Sequence, residues 1–478
     1  MRIRPRTTVP GKYGPDVVRE HAAPRSRPAT SVGRPDQGDL RMTDTSGTTT
    51  HRPAGSPATG IQAAGFHATD TFRTAAARYR PIFDRIAAGA LDRERDRVLP
   101  FEQIGWLKAA GFGAARVPAE DGGDGLTWPE FTALLIDLAA ADSNLPQALR
   151  AHIAFVEEIL HRRRRGEDRG VWLDRVVAGE LAGNAWTEPG TGGTGTILED
   201  TAEGLALTGR KYYTTGTIFA DWIDVTAKRP DGTDVSVVIA TTTPGVRTDD
   251  DWDGFGQRLT GSGTTEFTAA AVDPSHVWPF ADRFPYQTAL YQHLLLITLA
   301  GIGRAVVIDA ADQVRRRTRV FGHGNADLVR DDAQILQVVG EISAQGYAAE
   351  ATTLRAAHSL ERAFTAAGTG DAGERAAVVD AELETGRAQI VLSRLVPDAA
   401  GALFNALGAS STSQSRALDR HWRNARTVAT HNPFVYKARV VGDWEVNGAE
   451  PPLIWTIGEA GADAARLAAR DERASVVG

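Results

Sequence analysis

Apolar residues recur every three or four positions from about residue 70 to residue 182, in alanine-rich segments with few β-branched runs. This spacing predicts amphipathic helices, and Phe101–Lys108 and Phe131–Leu138 are two examples. Pro118 and the glycine cluster at 122–125 separate these two segments and predict a turn between them. The first patterned part of the chain is therefore predicted to be helical.

The pattern changes between about residues 183 and 285. Leu205–Tyr213, Trp222–Ala227 and Val235–Thr241 are rich in β-branched and aromatic residues and are bounded by turn residues, which is typical of strands. Strand follows strand without a helical segment between them. An antiparallel β domain is therefore favoured over a doubly wound sheet.

Long helical patterns return after Pro285, and they cover Leu294–Val320, Leu328–Leu360 and Ala376–Leu395. The order of helices, strands and helices predicts an α+β protein. We predict an N-terminal helical domain at 63–182, a middle β domain at 183–285 and a C-terminal helical bundle at 286–478.

Residues 1–62 lack apolar periodicity and are rich in Pro, Arg, Ser, Thr and Gly, so a disordered extension is expected there. Met42 is the second of only two methionines and is followed by a polar segment. We hypothesise that translation in the native host begins at Met42. The intact mass of the protein from that host decides the question, because a mass that includes the first 41 residues would rule the hypothesis out.

The composition excludes several partners and several kinds of reactive site, and it says less about where in the cell the protein is found. The net charge of −7 gives no reason to expect nucleic acid or an anionic membrane as a partner. The chain has no cysteine, which excludes disulfides, thiolate nucleophiles, iron–sulfur clusters and cysteine-bound zinc. The longest apolar run, around Leu294–Ile302, is shorter than the roughly 20 residues that a membrane span needs. No hydrophobic signal segment opens the chain, and a cytoplasmic protein is expected.

General motifs exclude several classes of site. The glycine-rich segment 190–196 lacks the lysine of a phosphate-binding loop and precedes strands, so neither a P-loop nor a Rossmann site is predicted. The eleven histidines show no metal-ligand spacing, and no metal site is predicted. A serine-hydrolase elbow is also missing from the sequence. Redox chemistry would therefore need a bound organic cofactor.

Four segments, in this order, resemble the acyl-CoA dehydrogenase superfamily: Asn184–Gly190, Gly209–Gly216, Arg319–Gly322 and Arg420–Arg426. The first two are similar to the flavin-contacting segments of that superfamily. The third matches its Arg-x-Phe-Gly on the first long C-terminal helix, and the fourth its terminal Arg-Asp-Ala-Arg segment. The resemblance covers roughly residues 70 to 460. It implies an N-terminal helical domain, a middle antiparallel β-barrel-like domain and a C-terminal four-helix bundle.

The departures from that superfamily indicate one branch of it. Acyl-CoA dehydrogenases usually carry the proton-abstracting glutamate just after the fourth segment, or on a helix further upstream. Here the position after the fourth segment reads Thr427–Pro433, with His431 near the glutamate's place. Trp252–Thr265, His421–Thr427 and His431–Lys437 resemble the flavin-dependent monooxygenases, which include dibenzothiophene monooxygenases, sulfur-acquisition enzymes and amine N-hydroxylases.

The resemblance implies a two-component monooxygenase. A separate NAD(P)H-dependent reductase would supply reduced FMN, and O2 would add at the flavin C4a atom. The resulting hydroperoxide would oxygenate a small, mainly apolar substrate at sulfur, nitrogen or an aromatic carbon. A dry cavity over the flavin protects such an intermediate. A homotetramer is also implied.

The same resemblance assigns residues. It places the Thr215 hydroxyl and the His431 ring at the reacting edge of the flavin, His152 as a third polar group there, and Asn184 near the flavin. The implied cofactor contacts are Asn184, Trp186, Thr187, Tyr213, Thr215, Trp252, Arg319, Phe321, Ser410 and Ser411. The last two are serines where related enzymes carry an arginine near the flavin phosphate, which leaves FAD open beside FMN.

Structural alternatives stay open for these residues. His431 and His152 could be structural histidines, Thr215 could be satisfied by backbone, and Arg319 could form a surface ion pair; Trp186 and Trp252 could be ordinary core residues.

Two other functions also stay open. An FAD-dependent acyl-CoA dehydrogenase would need a carboxylate such as Glu382, because Glu445 lies too far beyond the motif. A non-catalytic binding or assembly protein is the third possibility.

Overall fold

The computed structural model describes residues 68–188 and 195–454. Seven helices precede the sheet; they are α1 (Asp70–Ala88), α2 (Ala90–Asp96), α3 (Phe101–Ala109), α4 (Trp128–Ala141), α5 (Asn144–Ala148), α6 (Arg150–Arg164) and α7 (Gly170–Val177). The predicted N-terminal extension and Met42 lie outside the described residues, as does most of the glycine-rich segment.

Local side-chain bonds set where the first helices begin. The Thr69 hydroxyl accepts the N–H of Phe72 at the start of α1. At the start of α4, Glu130 returns its carboxylate to the backbone N–H of Thr127, which closes a capping box. The side chain of Trp128, the first residue of α4, is fully buried.

Helix α6 runs through the interior, because every side chain from Arg150 to Arg162 is buried. Several of these side chains are charged. Glu157 illustrates how they are accommodated, since its carboxylate accepts bonds from the Tyr286 hydroxyl at 2.8 Å and the Trp128 indole at 2.9 Å. The buried Glu157 carboxylate thus has partners within the protein.

The middle of the chain forms one eight-stranded sheet. Its strands are β1 (Ala182–Ala185), β2 (Ile197–Thr201), β3 (Gly204–Lys211), β4 (Trp222–Lys228), β5 (Asp234–Ala240), β6 (Val246–Thr248), β7 (Thr265–Val272) and β8 (Val277–Pro279). The path is β6-β7-β3-β2-β4-β5-β8, and the pairs along it are antiparallel apart from a single parallel pairing between β2 and β4.

Strand β1 departs from the predicted antiparallel pattern, because it pairs in parallel with β4 over its whole length. The register places Asn184 beside Asp224. The strand can run parallel because it enters from α7 rather than from a hairpin, so no tight turn dictates its direction. This edge brings the first predicted flavin segment against the centre of the sheet.

Up to residue 454, five α-helices follow the sheet: α8 (Gln287–Arg316), α9 (Ala333–Ala366), α10 (Ala372–Leu407), α11 (Asp419–Ala429) and α12 (Phe434–Asn447). Helices α8 to α11 pack on one another as a bundle, and α12 packs on α10. Helices α8 and α10 are long and apolar enough to cross a membrane by composition, but much of each is buried inside the protein. The predicted α+β architecture is confirmed.

One predicted helix boundary is wrong. Helix α8 ends at Arg316, so Arg319–Gly322 lies in the connection to α9 and not on the helix. The run of arginines at the end of α8 continues the helical pattern in sequence but contributes few apolar contacts beyond Val314, which is the last buried residue of the helix. The helix ends where its side chains cease to be buried, although the periodic pattern of the sequence continues.

Candidate active site

The candidate site lies where five segments meet: the α5–α6 junction, β1, the β3–β4 connection, the first turns of α8 and the α11–α12 connection. At Gly216 the β3–β4 connection comes very close to the α5–α6 junction. The φ of Gly216 is +78°, and a Cβ added there would lie 1.9 Å from the carbonyl oxygen of Ala148. Thr217 joins a third, because its hydroxyl donates to the carbonyl of Asn184 at 2.9 Å. Thr215 is thus fixed between α5 and β1.

Thr215 is almost fully buried, and its hydroxyl belongs to a chain of three. Its Oγ1 lies 2.8 Å from Ser262 Oγ, which lies 2.7 Å from Thr260 Oγ1. The Thr260 hydroxyl in turn donates to the carbonyl of Gln257 at 2.9 Å. Each hydroxyl has one proton. With Thr260 donating to that carbonyl, Ser262 donates to Thr260 and Thr215 donates to Ser262. The Tyr213 carbonyl, 3.4 Å from Thr215 Oγ1, is a second acceptor for the same proton. In either case Thr215 offers the site a lone pair.

Reversal of this chain turns Thr215 into a donor. If Thr260 rotates its proton from the Gln257 carbonyl to Ser262, each hydroxyl can donate in the opposite direction. The change moves no heavy atom. Thr215 can consequently accept or donate at the site, at the cost of one bond to the Gln257 carbonyl.

His431 lies in the connection between α11 and α12 and keeps an exposed surface. Its Nδ1 is 3.4 Å from the side-chain oxygen of Asn432, whose amide donates to Gln292 on α8 at 3.0 Å. The surrounding protein and the positive charge of Arg150 both lower the pKa of His431. The ring is therefore neutral at pH 7, and it is not turned into the core.

Arg150 and Tyr291 complete this part of the site, and sequence analysis missed both. The Arg150 guanidinium lies over the Tyr291 ring, 5.5 Å from its centroid. Neither the guanidinium nor the Tyr291 hydroxyl bonds to another residue in the described parts of the chain. The signal for Arg150 was present in the sequence, since it is the only residue between Asp142 and Glu157 with a full charge.

Trp186, a predicted flavin contact, packs against the same Tyr291. Its ring lies edge to face with Tyr291 at 5.0 Å, and the Arg283 guanidinium lies 4.4 Å from its centroid. Arg283 is buried and pairs with the Asp224 carboxylate. Burial raises the pKa of Asp224, while Arg283 and the Trp186 indole act against that rise. This carboxylate is thus committed to a structural ion pair.

The remaining predicted flavin contacts on the sheet side fall at the end of β1, in the β3–β4 connection and between β6 and β7. Asn184 is buried on β1, and its side-chain amide bonds to no other described residue. The backbone N–H of Tyr212 donates to the carbonyl of Thr187, which bridges the first two of these segments. Tyr213, at φ +59°, exposes its ring and meets Trp252 edge to face at 5.9 Å. The Thr187–Tyr212 bond and the Tyr213–Trp252 contact hold these segments together next to Thr215.

The other predicted cofactor contacts form a separate group around Gly408. The exposed Phe321 ring would lie 3.5 Å from a Cβ at Gly408, and the Arg317 guanidinium is 5.0 Å from the centre of that ring. The Ser411 hydroxyl donates to the carbonyl of Gly408 at 2.6 Å, so its proton is not available to a phosphate. Arg319 and Ser410 are exposed nearby, and Arg317 is the cation that the sequence argument missed.

His152 does not line the site as predicted. The N–H of Ala182 donates to its Nδ1 at 3.2 Å, and its Nε2 lies 3.0 Å from the carbonyl of Gly113. Both ring nitrogens are therefore bound to backbone, with the proton on Nε2. His152 ties α6 to the start of β1 and is a structural histidine.

The buried His152 predicts acid sensitivity. Burial lowers its pKa to about 4 from an ordinary 6.5, so between these values the unfolded chain binds a proton that the folded protein does not. Stability is fully present above pH 6.5 and falls as the pH decreases toward 4, by at most roughly 3 kcal/mol from this residue. His152→Gln should be less stable than wild type at pH 7.5 and nearly equal at pH 4.5 in urea unfolding. A constant difference across that range would contradict this account.

Carboxylates that an acyl-CoA dehydrogenase would need are engaged elsewhere. Glu382 is buried on α10 and forms an ion pair with Lys437 of α12. Glu445 is on α12, where Arg387 donates to it at 2.5 Å. Within residues 68–188 and 195–454, no group of three or more His, Asp or Glu is arranged to hold a metal ion.

Comparison with protein families matches residues 296–436 to the acyl-CoA dehydrogenase C-terminal domain. The chain is similar to dibenzothiophene monooxygenase of Mycolicibacterium goodii, with 25% identity over 72% of this chain and 87% of the relative. It is also similar to the probable FMNH2-dependent monooxygenase SfnC of Pseudomonas putida, with 25% identity over 79% of this chain and 96% of the relative.

Among solved structures, the fold matches that of TdsC from Paenibacillus sp. A11-2 in complex with FMN and indole. The TM-score is 0.72 at 25% identity, over 79% of this chain and 98% of TdsC. TdsC is a dibenzothiophene monooxygenase. The similarity therefore extends over nearly the whole length of each of these relatives.

Proposed function

We propose that this chain, a flavin-dependent monooxygenase with the acyl-CoA dehydrogenase fold, receives reduced FMN from a separate NAD(P)H-dependent reductase and oxygenates a small organic substrate. One atom of O2 would enter the substrate and the other would leave as water, with two electrons coming from the flavin. Oxidation at sulfur, nitrogen or an aromatic carbon is compatible with this balance.

The residues present fit a flavin. The Asn184 amide, next to Trp186 and Thr215, is buried without a bond to another described residue, and such a group calls for a polar ligand. Asn184, Trp186, Thr187, Tyr213, Thr215 and Trp252 would hold the ring system. Bound reduced FMN would supply the electrons and activate O2. Arg317 near Gly408 offers a positive charge suited to a phosphate. The Ser411 hydroxyl does not donate to a phosphate in this arrangement, because it donates to the backbone carbonyl of Gly408.

The proposal is supported chiefly by His431, a partly exposed imidazole at the position that the resemblance assigns to a dehydrogenase's proton-abstracting carboxylate. An imidazole with a lowered pKa can hold a hydrogen bond to an oxygen atom without adding a charge or a ready proton. The alternative base Glu382 is bound to Lys437. Trp186 and Tyr291 add aromatic surface that keeps water from the reacting atoms.

The Thr215 hydroxyl chain predicts unequal effects for two substitutions. Thr215→Val removes the group at the site and should lower product formation about tenfold to a hundredfold, with more O2 lost as hydrogen peroxide. Ser262→Ala removes one partner of Thr215 and leaves its proton for the site or for the Tyr213 carbonyl at 3.4 Å, so the loss should be below threefold. Product and peroxide are measured together in a reductase-coupled assay. Equal losses in both variants would show that the hydroxyl chain is structural.

A direct test of function compares cofactors and O2 use. A monooxygenase of this kind should purify nearly colourless and consume O2 only when reduced FMN is supplied. An acyl-CoA dehydrogenase should purify yellow with tightly bound FAD that acyl-CoA bleaches under argon. Failure to bind either flavin would instead support a binding or assembly protein.

We also propose a cytoplasmic homotetramer. Large apolar side chains are exposed on α11 and α12, including Trp422, Val435, Tyr436 and Val446. Surface of this kind commonly marks subunit contacts. Sedimentation velocity measures the assembly; a monomer at micromolar concentration would rule the tetramer out.

A further inference from the structure

Arg150 is an exception among the buried arginines. The described residues include five with less than a tenth of their surface exposed; they are Arg93, Arg116, Arg150, Arg162 and Arg283. Four of these pair with a buried carboxylate: Asp142, Glu157, Glu158 and Asp224. Arg150 has neither a carboxylate nor a hydrogen-bond acceptor among the described residues.

Arg283 provides a matched comparison. Both Arg150 and Arg283 are 7% exposed, and both lie over an aromatic ring of the same cluster. Arg283 bonds to Asp224 and also donates to the Ser236 hydroxyl at 3.1 Å. At this site, therefore, a carboxylate neutralises the buried guanidinium of Arg283, and none neutralises that of Arg150.

The charge on Arg150 persists at neutral pH. Burial lowers its pKa to about 10, which still leaves the guanidinium protonated at pH 7. A buried ion without a partner destabilises the folded chain, since the lost hydration is not replaced. Such a group is retained where a ligand completes the pairing.

The groups around Arg150 suit an oxyanion. The Tyr291 ring lies 5.5 Å from the guanidinium, and its hydroxyl is a donor with no partner among the described residues. Asn432, the neighbour of His431, donates to Gln292 on the same turn of α8 at 3.0 Å. A planar guanidinium binds two oxygens of one acid group, and a phenol adds a third bond.

We propose that Arg150, together with Tyr291, binds an oxyanion carried by the substrate: a sulfinate, sulfonate or carboxylate. This inference rests on the proposed function for naming the ligand a substrate. It changes the expected substrate from a mainly apolar molecule to one with a small apolar body and a single acid group. The apolar body would lie against Trp186 and the ring of Tyr291.

Binding to the protein loaded with oxidised FMN tests the proposal without catalysis. Calorimetric titration would compare methanesulfinate and benzenesulfinate with their neutral counterparts dimethyl sulfoxide and methyl phenyl sulfoxide. Wild type should bind the sulfinates at least tenfold more tightly than the sulfoxides. Arg150→Met should weaken sulfinate binding by about 10- to 100-fold and leave sulfoxide binding and FMN affinity within threefold. Arg150→Lys should fall between the two.

Two results of the titration would overturn the proposal. If wild type binds the sulfinates no better than the sulfoxides, Arg150 does not select an anion. If Arg150→Met loses FMN as strongly as it loses sulfinate, the guanidinium serves the cofactor. Because the titration needs no oxygen transfer, a failure of the monooxygenase proposal would leave this outcome readable.

The matched arginines give a second readout. Arg150→Met removes an uncompensated buried charge and should raise the unfolding temperature of the ligand-free protein by a few degrees. Arg283→Met leaves Asp224 unpaired and should lower it. Methanesulfinate should raise the unfolding temperature of wild type but not of Arg150→Met. Destabilisation by Arg150→Met would mean that the guanidinium is structural and would contradict the proposal.

Discussion

His431→Ala should lower the rate of oxygen transfer by about 10²–10⁴-fold, which is the usual contribution of one well-placed acid–base or hydrogen-bonding group. Affinity for FMN should fall less than threefold. The reason is geometric: His431 belongs to the α11–α12 connection, whereas the residues assigned to the flavin ring lie at the end of β1, in the β3–β4 connection and between β6 and β7. Single-turnover product formation and fluorescence titration of FMN measure the two quantities.

His358→Ala is the matched control, because His358 is an exposed histidine on α9, away from the assigned residues. It should change neither quantity. Equal losses of oxygenation and FMN binding in His431→Ala would make His431 a structural residue. A loss of the unfolding free energy by several kcal/mol would lead to the same conclusion.

Gly216→Ala is expected to have the second large effect. The new Cβ would overlap the Ala148 carbonyl, and the positive φ at this position is unfavourable for any residue with a side chain. The two segments would have to separate, which should cost about 3 kcal/mol or more in the free energy of unfolding. Because Thr215 precedes this glycine, oxygenation should fall at least tenfold.

Gly232→Ala is the control that separates the effect of a positive φ from the effect of steric overlap. Gly232 has a φ of +88°, and a Cβ there would meet nothing within 4 Å. This variant should lose only about 1 kcal/mol, with activity unchanged. Urea unfolding and the coupled oxygenation assay compare the two glycines. Similar losses in both would show that the close approach of Gly216 to Ala148 is unimportant.

Periodicity predicted the order of helices, strands and helices because burial enforces it along each element. It could not predict that β1 runs parallel to β4, since strand direction depends on how the chain arrives from α7. It also extended α8 to Val320, beyond the last buried residue, Val314. Tertiary contacts, which a single sequence does not display, set both features.

Motif resemblance located some site residues better than others. His431 and Thr215 lie in segments that meet at the site, whereas both ring nitrogens of His152 bond to backbone groups. A lone histidine on a buried helix gives no sign of which acceptor it will meet. Arg150 was overlooked for the opposite reason: its significance is a missing partner, and partners become visible only in three dimensions.

The central claim is that this chain transfers oxygen from O2 with electrons from reduced FMN, without abstracting a substrate proton by a carboxylate. The most direct measurement supplies reduced FMN and ¹⁸O2 with a panel of sulfinates, thioethers, thiophenes and primary amines, and analyses the products by mass. The account predicts one ¹⁸O atom in the product, formed only with reduced FMN. Products free of ¹⁸O, together with a bound flavin that acyl-CoA bleaches under argon, would contradict it.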